Sequence, residues 1–166
     1  MSRDHRLRDA EIGDVGTLLH FIKQLASYEK LDHEVDASED LLRRWMFGPE
    51  AVAEAILVEL PDADGGFRPV GFALFYRSFS TFMGAPGLYL EDLFVDAAAR
   101  GLGLGKALIV AGAKRAVARG YRKFHWQVLD WNQPSRDFYL AMGASESAQW
   151  LNVRIDDAAL AALAAK

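Results

Sequence analysis

A glycine-rich segment in the second half of the chain carries the clearest chemical signal in this sequence. Glycines stand at alternate positions, Gly101, Gly103 and Gly105, and the cations Arg100 and Lys106 flank them. Glycine lets the backbone approach a ligand closely and lets successive N–H groups point at one spot. Because a helical pattern begins here, the unpaired N–H groups and the helix dipole favour a negative group such as a pyrophosphate.

Two widespread phosphate-binding motifs do not fit this turn. The dinucleotide fingerprint G-x-G-x-x-G fails in both registers, because Lys106 or Leu108 stands at its last glycine position. A P-loop fails because Ala107 stands where Ser or Thr is required. The pattern that fits is R-x-x-G-x-G, from Arg100 to Gly105, at a predicted strand-to-helix junction. A tight turn of small residues that serves close packing is the alternative interpretation.

Two adjacent carboxylates interrupt an apolar predicted strand over residues 88–95. Carboxylates rarely enter such strands without a partner, so Glu91 and Asp92 are more informative than surface acids. Strand alternation predicts that Glu91 shares a face with Tyr89, Leu93 and Val95, and that Asp92 shares the opposite face with Leu90 and Phe94. For Asp92 we favour a structural role, in which it caps a loop or pairs with an arginine.

The elements that must position these groups follow from hydrophobic periodicity and from turn residues. Strands are predicted over residues 5–8, 51–60, 70–79, 88–95, 124–129 and 150–155. Helices are predicted over residues 11–28, from Ser38 to Gly48, from the glycine turn to about residue 119, over residues 132–142, and from residue 156 onward. The first half is hairpin-like, whereas residues 88–129 form a βαβ unit with a right-handed crossover. These patterns predict an α/β fold with a mixed sheet.

Length, composition and charge limit the classes of function that the protein can have. The 166 residues contain no repeat or long linker, which predicts a single domain over residues 1–166. A net charge of −4 argues against nucleic acid as a partner. The chain lacks a run of about 18 apolar residues and a secretory signal, so we expect a soluble, cytoplasmic protein without a membrane partner. It contains no cysteine, and its histidines have no metal-ligand spacing, so no metal is expected.

Several blocks in the same order carry a resemblance to a known family. R-x-x-G-x-G after Phe94-Val95 resembles the acetyl-CoA signature of the GCN5-related N-acetyltransferase (GNAT) superfamily. Residues 88–95 and 131–135, Phe138-Tyr139 and Gly143-Ala144 resemble the diamine acetyltransferases, which include the spermidine/spermine and thialysine-acetylating enzymes. The similarity extends over about residues 5–155.

The resemblance implies a twisted mixed sheet with helices on both faces and acetyl-CoA as co-substrate. Two parallel strands, one ending at Val95 and the other over 124–129, are expected to splay apart and admit the pantetheine arm. The residues that the resemblance assigns to acetyl-CoA are Leu93, Phe94, Val95, Arg100, Gly101, Leu102, Gly103, Leu104, Gly105, Lys106, Asn132, Gln133, Pro134 and Ser135.

The resemblance also implies catalytic and substrate-binding residues. Tyr139 matches the general acid that protonates the leaving thiolate, although a packing tyrosine is the alternative for Tyr139 beside Phe138. Glu91 matches the acid that binds the amine and provides a route for its proton. The residues that match acceptor contacts are Tyr28, Glu29, Glu91, His125, Trp126 and Gln127, of which His125 is given no catalytic role.

The expected reaction is direct attack of a primary amine of a small molecule, a diamine, polyamine or amino-acid side chain, on acetyl-CoA. Residues 80–83 are uncharged and Glu146 is the sole acid of residues 145–150, so a smaller amine is at least as plausible as a long polycation. The alternatives are a protein or peptide acetyltransferase, acting on a lysine or an N-terminal amine, and a non-catalytic CoA-binding module. A homodimer is expected, with residues 150–153 as its interface or else as an internal strand.

Overall fold

The computed structural model describes residues 4–166, and a five-stranded sheet is its central feature. The strands follow one another in the order β1-β2-β3-β4-β5. Neighbours from β1 to β4 are antiparallel, and β5 joins β4 in parallel, so the predicted mixed sheet is confirmed. The strands are β1 Arg6–Asp9, β2 Ala53–Pro61, β3 Phe67–Ser80, β4 Ala85–Val95 and β5 Phe124–His125.

The helices agree with the periodicity in type and order. They are α1 Val15–Glu29, α2 Glu39–Leu42, α3 Leu104–Ala118, α4 Gln133–Ala141 and α5 Asp157–Ala164. Ser38 caps α2 by accepting a hydrogen bond from the Leu41 N–H (3.3 Å). A π-helical segment, Arg43–Phe47, extends α2 and ends at Gly48. None of the helices within residues 4–166 has both the length and the apolar character needed to cross a bilayer.

The chain divides into two compact units, Met1–Gln127 and Val128–Lys166. The first unit holds the whole sheet with α1, α2 and α3, and the second holds α4 and α5.

Helices cover both faces of the sheet in the first unit. On one face, the Phe21 ring of α1 lies 5.9 Å from the ring of Phe72 and 5.7 Å from that of Phe94. On the other face, α3 approaches so closely that a Cβ at Gly112 would lie 2.8 Å from both Phe75 and Phe124. Phe72 and Phe75 are three residues apart on β3, so their side chains project from opposite faces.

Ion pairs join β1 and β2 to the start of α1. The Glu59 side chain is 2% exposed and accepts hydrogen bonds from Arg6 Nε (2.6 Å) and Arg8 Nε (2.9 Å). Arg8 also binds both carboxylate oxygens of Asp14 at 2.7 Å. The two arginines hold the pKa of Glu59 below its usual value although burial acts in the opposite direction. A buried carboxylate is tolerated here because its charge is paired.

Two strand predictions are wrong. The predicted strand over 124–129 is the two-residue β5, which ends at His125. The predicted strand over 150–155 does not form, and its apolar side chains are exposed, with Trp150 at 78% and Val153 at 90%. A β-rich sequence needs a paired neighbour and a face to bury, and the fold supplies neither here. The alternative that residues 150–153 form an internal strand is therefore wrong, and the homodimer stays a prediction.

Candidate active site

The glycine turn joins the end of β4 to the start of α3. Gly101 and Gly103 both have φ of 78°, in the left-handed region, and open space surrounds the position that a Cβ would take at each. Gly103 occupies the N-cap of α3. The glycines thus satisfy two needs at once, a backbone conformation that L side chains rarely adopt and an uncovered backbone surface.

The first turn of α3 presents backbone donors to this open surface. The first hydrogen bond of the helix runs from the Ala107 N–H to the Gly103 carbonyl (3.0 Å). The N–H groups of Leu104, Gly105 and Lys106 come before it in the chain, so the helix itself offers them no carbonyl acceptor. Leu104 is 2% exposed, so it anchors the first turn of the helix in the core. Lys106 is exposed and adds a positive charge. This arrangement suits an anionic group.

Arg100 connects the turn to two other elements. Its Nε donates to the Val95 carbonyl at the end of β4 (3.1 Å). Its guanidinium lies 5.0 Å from the centre of the Tyr28 ring, near the end of α1. A cation over an aromatic face is favourable, so this contact holds the turn against α1. Two predicted site residues, Tyr28 and Arg100, are thereby brought together.

The end of β4 has a free edge toward β5. Leu93, Phe94 and Val95 pair with β3 on one side, whereas β5 pairs with β4 only through Leu88 and Tyr89. Within residues 4–166, no strand of the sheet covers the other edge of Leu90 to Val95. A free strand edge offers a row of backbone donors and acceptors to an extended ligand. The parallel β4–β5 pair is confirmed, whereas the splaying of its two strands around a pantetheine arm stays a prediction.

A β-bulge places the two carboxylates differently from the expectation. Leu74 of β3 lies opposite Asp92 and Phe75 lies opposite Leu90, so Glu91 is the extra residue. The simple alternation therefore breaks at Glu91. Asp92 and Phe94 share the α1 face as predicted, whereas Leu90 lies opposite Phe75 on the α3 face, so the prediction that Asp92 shares a face with Leu90 is wrong. Tyr89 and Leu93 lie on opposite faces, so Glu91 does not share one face with both as predicted.

Three carboxylates influence one another near this bulge. The pKa of Asp92 is raised to about 7, mainly by burial and further by the negative charges of Glu91 and Glu29. Burial also raises the pKa of Glu29, the last residue of α1, while Glu91 is exposed. Within residues 4–166, Asp92 forms no ion pair, so the expectation that it pairs with an arginine is wrong.

Aromatic residues follow the carboxylates along the α1 face of the sheet. The Tyr76 and Tyr89 rings stack at 4.8 Å, and His125 meets the Tyr89 ring edge-on at 4.9 Å. His125 Nε2 lies 2.8 Å from Ser78 Oγ. Burial, with smaller effects from Tyr76, Glu91 and Asp92, raises the pKa of Tyr89 to about 12. Burial and the neighbouring Lys123 lower the pKa of His125.

Sequence reasoning found His125 but missed its partners. Tyr76 and Ser78 come into register with Tyr89 only through β3–β4 pairing, which the sequence does not specify. Trp126 lies just beyond β5, with its ring 5.0 Å from that of Phe124. Gln127 is exposed and ends the first unit. Of the three predicted acceptor contacts in this segment, His125 lies in β5, whereas Trp126 and Gln127 follow the strand and are not part of it.

The other predicted site residues belong to α4 in the second unit. Asn132 is buried and caps the helix, accepting a hydrogen bond from the Ser135 N–H (3.4 Å), and Pro134 stands in the first turn. Tyr139 is half-buried, with the Phe138 ring at 5.2 Å. Asn132 and Pro134 therefore help to begin the helix, in addition to any contact that they make with a ligand.

Glu146 of the second unit is engaged by an arginine. Both of its carboxylate oxygens accept hydrogen bonds from Arg136, at 2.8 Å from Nε and 2.7 Å from Nη2. The Arg136 guanidinium holds the pKa of Glu146 below its usual value. This acid is therefore already neutralised, which agrees with the expectation that few acids remain to anchor a long polycation.

The residues that build the glycine turn, the free strand edge and the parallel strand pair lie within a region that matches a known protein family. Residues 19–144 match the sequence model of the acetyltransferase (GNAT) family. The chain belongs to this family. It is an N-acetyltransferase, and acetyl-CoA is its co-substrate.

Relatives of this acetyltransferase extend over its whole length. It is 37% identical over 166 residues to a thialysine N-epsilon-acetyltransferase of Sus scrofa, covering 96% of this chain and 97% of the relative. It is 38% identical over 104 residues to an L-ornithine N5-acetyltransferase of Arabidopsis thaliana, covering 63% of this chain and 46% of the relative. Among solved structures, an integron cassette protein from V. cholerae has the same fold, with a TM-score of 0.78, 24% identity and coverage of 100% and 99%.

Proposed function

We propose that this acetyltransferase transfers the acetyl group of acetyl-CoA to a primary amine of a small molecule by direct attack. The observation that carries the proposal is the group of Glu29, Glu91 and Asp92 near the free edge of β4. Within residues 4–166, none of these three carboxylates forms an ion pair. Uncompensated negative charges beside the strand edge attract an ammonium group and repel a second anion.

The amine must lose a proton before it attacks. An alkylamine with a pKa near 10.4 is almost wholly protonated at pH 7, so a nearby base is required. Glu91, which is exposed on the bulge, is proposed to receive the ammonium group and to provide the route by which its proton leaves. Asp92, with a pKa raised to about 7, is well suited to accept the proton, directly or through water. A base near the working pH takes up and releases a proton most effectively.

The remaining roles concern the thioester. The backbone N–H groups of 101–106 are proposed to bind the pyrophosphate, with Arg100 and Lys106 adding charge. The free edge of Leu93, Phe94 and Val95 is proposed to bind the pantetheine arm, and a backbone N–H near Phe94 or Val95 to stabilise the developing oxyanion. Asn132, Pro134 and Ser135 are proposed as further contacts to the coenzyme.

Tyr139 is proposed as the general acid. As the amine nitrogen forms its bond to the acetyl carbon, the carbon–sulfur bond breaks and the thiolate takes a proton from the Tyr139 hydroxyl. The proton that the new amide nitrogen must lose returns to the Tyr139 oxygen, directly or through water, which restores the neutral amide and the phenol. The thiolate of coenzyme A, with a thiol pKa near 8.5, leaves more readily when it is protonated in this way. The resemblance of α4 to the family pattern supports this role.

The relatives support a compact acceptor. Thialysine and ornithine, which the names of two relatives specify, both carry a primary amine on an amino-acid side chain. We therefore propose an amino acid with a side-chain amine or a short diamine as the acceptor, with Tyr28, Glu29, Glu91 and His125 among its contacts. A protein or peptide acceptor is the alternative, and a peptide preferred over every small amine would favour it.

The direct test replaces Tyr139 with phenylalanine. We expect kcat for coenzyme A release to fall by at least about 100-fold, the usual contribution of a general acid, while the Kd for acetyl-CoA in calorimetry changes little. Tyr121→Phe removes a hydroxyl at a site outside the proposed machinery and serves as the matched control. Unchanged turnover in Tyr139→Phe would contradict the acid role. If the unmodified protein binds acetyl-CoA but releases no coenzyme A in the presence of any amine, a non-catalytic CoA-binding module would be favoured.

A further inference from the structure

A pocket of about 220 Å³ opens beside the turn between β3 and β4. The residues that line it include the hydroxyl-bearing Ser78, Ser80 and Thr81, together with Lys123 and His125. Ser78 Oγ lies 2.8 Å from His125 Nε2, and Ser80 Oγ accepts a hydrogen bond from the Met83 N–H. Of the described residues that line it, none is acidic, and Lys123 carries the charge. Three hydroxyl groups and an ammonium group form the kind of surface that binds a carboxylate.

The charge of Lys123 is not neutralised by a neighbour. Within residues 4–166, the structure gives Lys123 no ion pair. Burial lowers the pKa of His125, and the charge of Lys123 lowers it further, so the imidazole stays neutral near pH 7. The pocket therefore repels an ammonium group and favours an anionic one.

The pocket and the carboxylates lie on the same face of the sheet. Leu74, Tyr76 and Ser78 project from the α1 face at successive two-residue steps of β3, and they lie opposite Asp92, Tyr89 and Gly87, respectively. Each step is roughly 6.8 Å, so Asp92 is about one step from the Tyr89 position and about two from Ser78. His125 pairs with Tyr89 and hydrogen-bonds Ser78, which links the two ends.

This order of groups matches a molecule with an ammonium group at one end and a carboxylate at the other. In extended lysine, six bonds of about 1.5 Å separate the side-chain nitrogen from the carboxyl carbon, a zig-zag span of roughly 7–8 Å. A hydrogen bond of about 3 Å at each end brings the reach to about 13–14 Å, which is close to two strand steps. Such a molecule extends from the carboxylates across the Tyr76–Tyr89 pair toward the pocket. A diamine of the same length brings its second ammonium group toward Lys123 instead.

We infer that the Lys123 pocket is a carboxylate-binding subsite that makes the enzyme prefer an amino acid with a side-chain amine over the corresponding diamine. The inference rests on the proposed function, because it concerns the far end of the same acceptor. Lys123 is thus assigned as a specificity residue, with the hydroxyl groups of Ser78, Ser80 and Thr81 as its polar surroundings.

The test compares lysine with cadaverine and ornithine with putrescine, since each pair differs by one carboxylate group. For the unmodified enzyme, we expect kcat/KM to be higher for the amino acid in each pair. Lys123→Gln should reduce the amino acid to diamine ratio by roughly tenfold, the effect of losing one charge-assisted contact. Lys123→Glu should invert the preference. Arg122→Gln, which removes the same charge from the adjacent exposed residue outside the pocket lining, is the matched control.

Three results distinguish the outcomes. A ratio that falls in Lys123→Gln but not in Arg122→Gln supports the subsite. Equal ratios in the unmodified enzyme and in Lys123→Gln would overturn the subsite while leaving acetyl transfer to small amines intact. Coenzyme A release with none of the four amines would overturn the proposed function and the subsite together.

Discussion

Replacing Asp92 with asparagine removes the carboxylate whose ionisation the fold opposes most clearly. Its pKa rises from an ordinary 3.8 to about 7 because it is buried and because Glu91 and Glu29 are close. A folded-state pKa above the unfolded value means that the folded protein binds the proton more tightly. The resulting penalty is absent below about pH 4 and grows as the pH rises toward 7.

The magnitude follows from the size of this shift. Three pKa units correspond to about 4 kcal/mol, of which roughly 2–3 kcal/mol develops between pH 5 and pH 8. Asp92 retains partial contact with solvent, which reduces the expected effect to about 1–3 kcal/mol. Asp92→Asn should therefore increase the free energy of unfolding, and by more at pH 8 than at pH 5. The same change should lower kcat/KM, because the proposed proton acceptor is lost.

Urea unfolding of both proteins at pH 5 and pH 8 measures the effect. Asp64→Asn, in the exposed loop between β2 and β3, is the control that changes the same charge without a buried environment. A stability difference between Asp92→Asn and the unmodified protein that does not change with pH would refute the electrostatic account of this site. Loss of stability at pH 8 would refute it too, since it would reveal a favourable partner for the Asp92 carboxylate.

Two further predictions concern the turn and the ion pairs of β1. Gly103→Ala forces an alanine to adopt φ of 78°, so we expect thermal unfolding to show a free energy of unfolding lower by about 1 kcal/mol. The added methyl group also stands on the open surface of backbone donors, so we expect calorimetry to give a higher Kd for acetyl-CoA. Unchanged affinity would contradict the assignment of the turn. Glu59→Ala leaves Arg6 and Arg8 without their shared partner and should cost about 3 kcal/mol at pH 7, with a smaller loss as acid protonates Glu59. Urea unfolding checks this value, and equal costs at pH 7 and pH 3 would contradict it.

Much of the fold follows from local sequence signals. The helix that begins at the glycine turn, the hairpin-like first half and the helix end at Gly48 all rest on turn residues next to periodic runs, and each agrees with the structure. The antiparallel first half and the parallel β4–β5 pair follow from connection lengths. These features depend on neighbours in sequence, which is why sequence analysis reaches them.

The features that sequence analysis missed depend on neighbours in space. The bulge at Glu91 exists only because β3 and β4 pair in a particular register, and this register moves Asp92 away from the face of Leu90. The length of β5 is set by where β4 stops pairing with it, rather than by the apolar run that follows Phe124. Likewise, the pocket at Lys123 forms only because the turn between β3 and β4 lies beside it, which the sequence around Lys123 does not indicate.

The most direct test of the central claim is coenzyme A release from acetyl-CoA, followed continuously with and without L-lysine or L-ornithine. The account predicts slow release with acetyl-CoA alone, and saturable release that depends on the amine and yields side-chain N-acetylated product by mass spectrometry. Acetyl-CoA that binds at the glycine turn but is not consumed in the presence of any small primary amine would contradict the account.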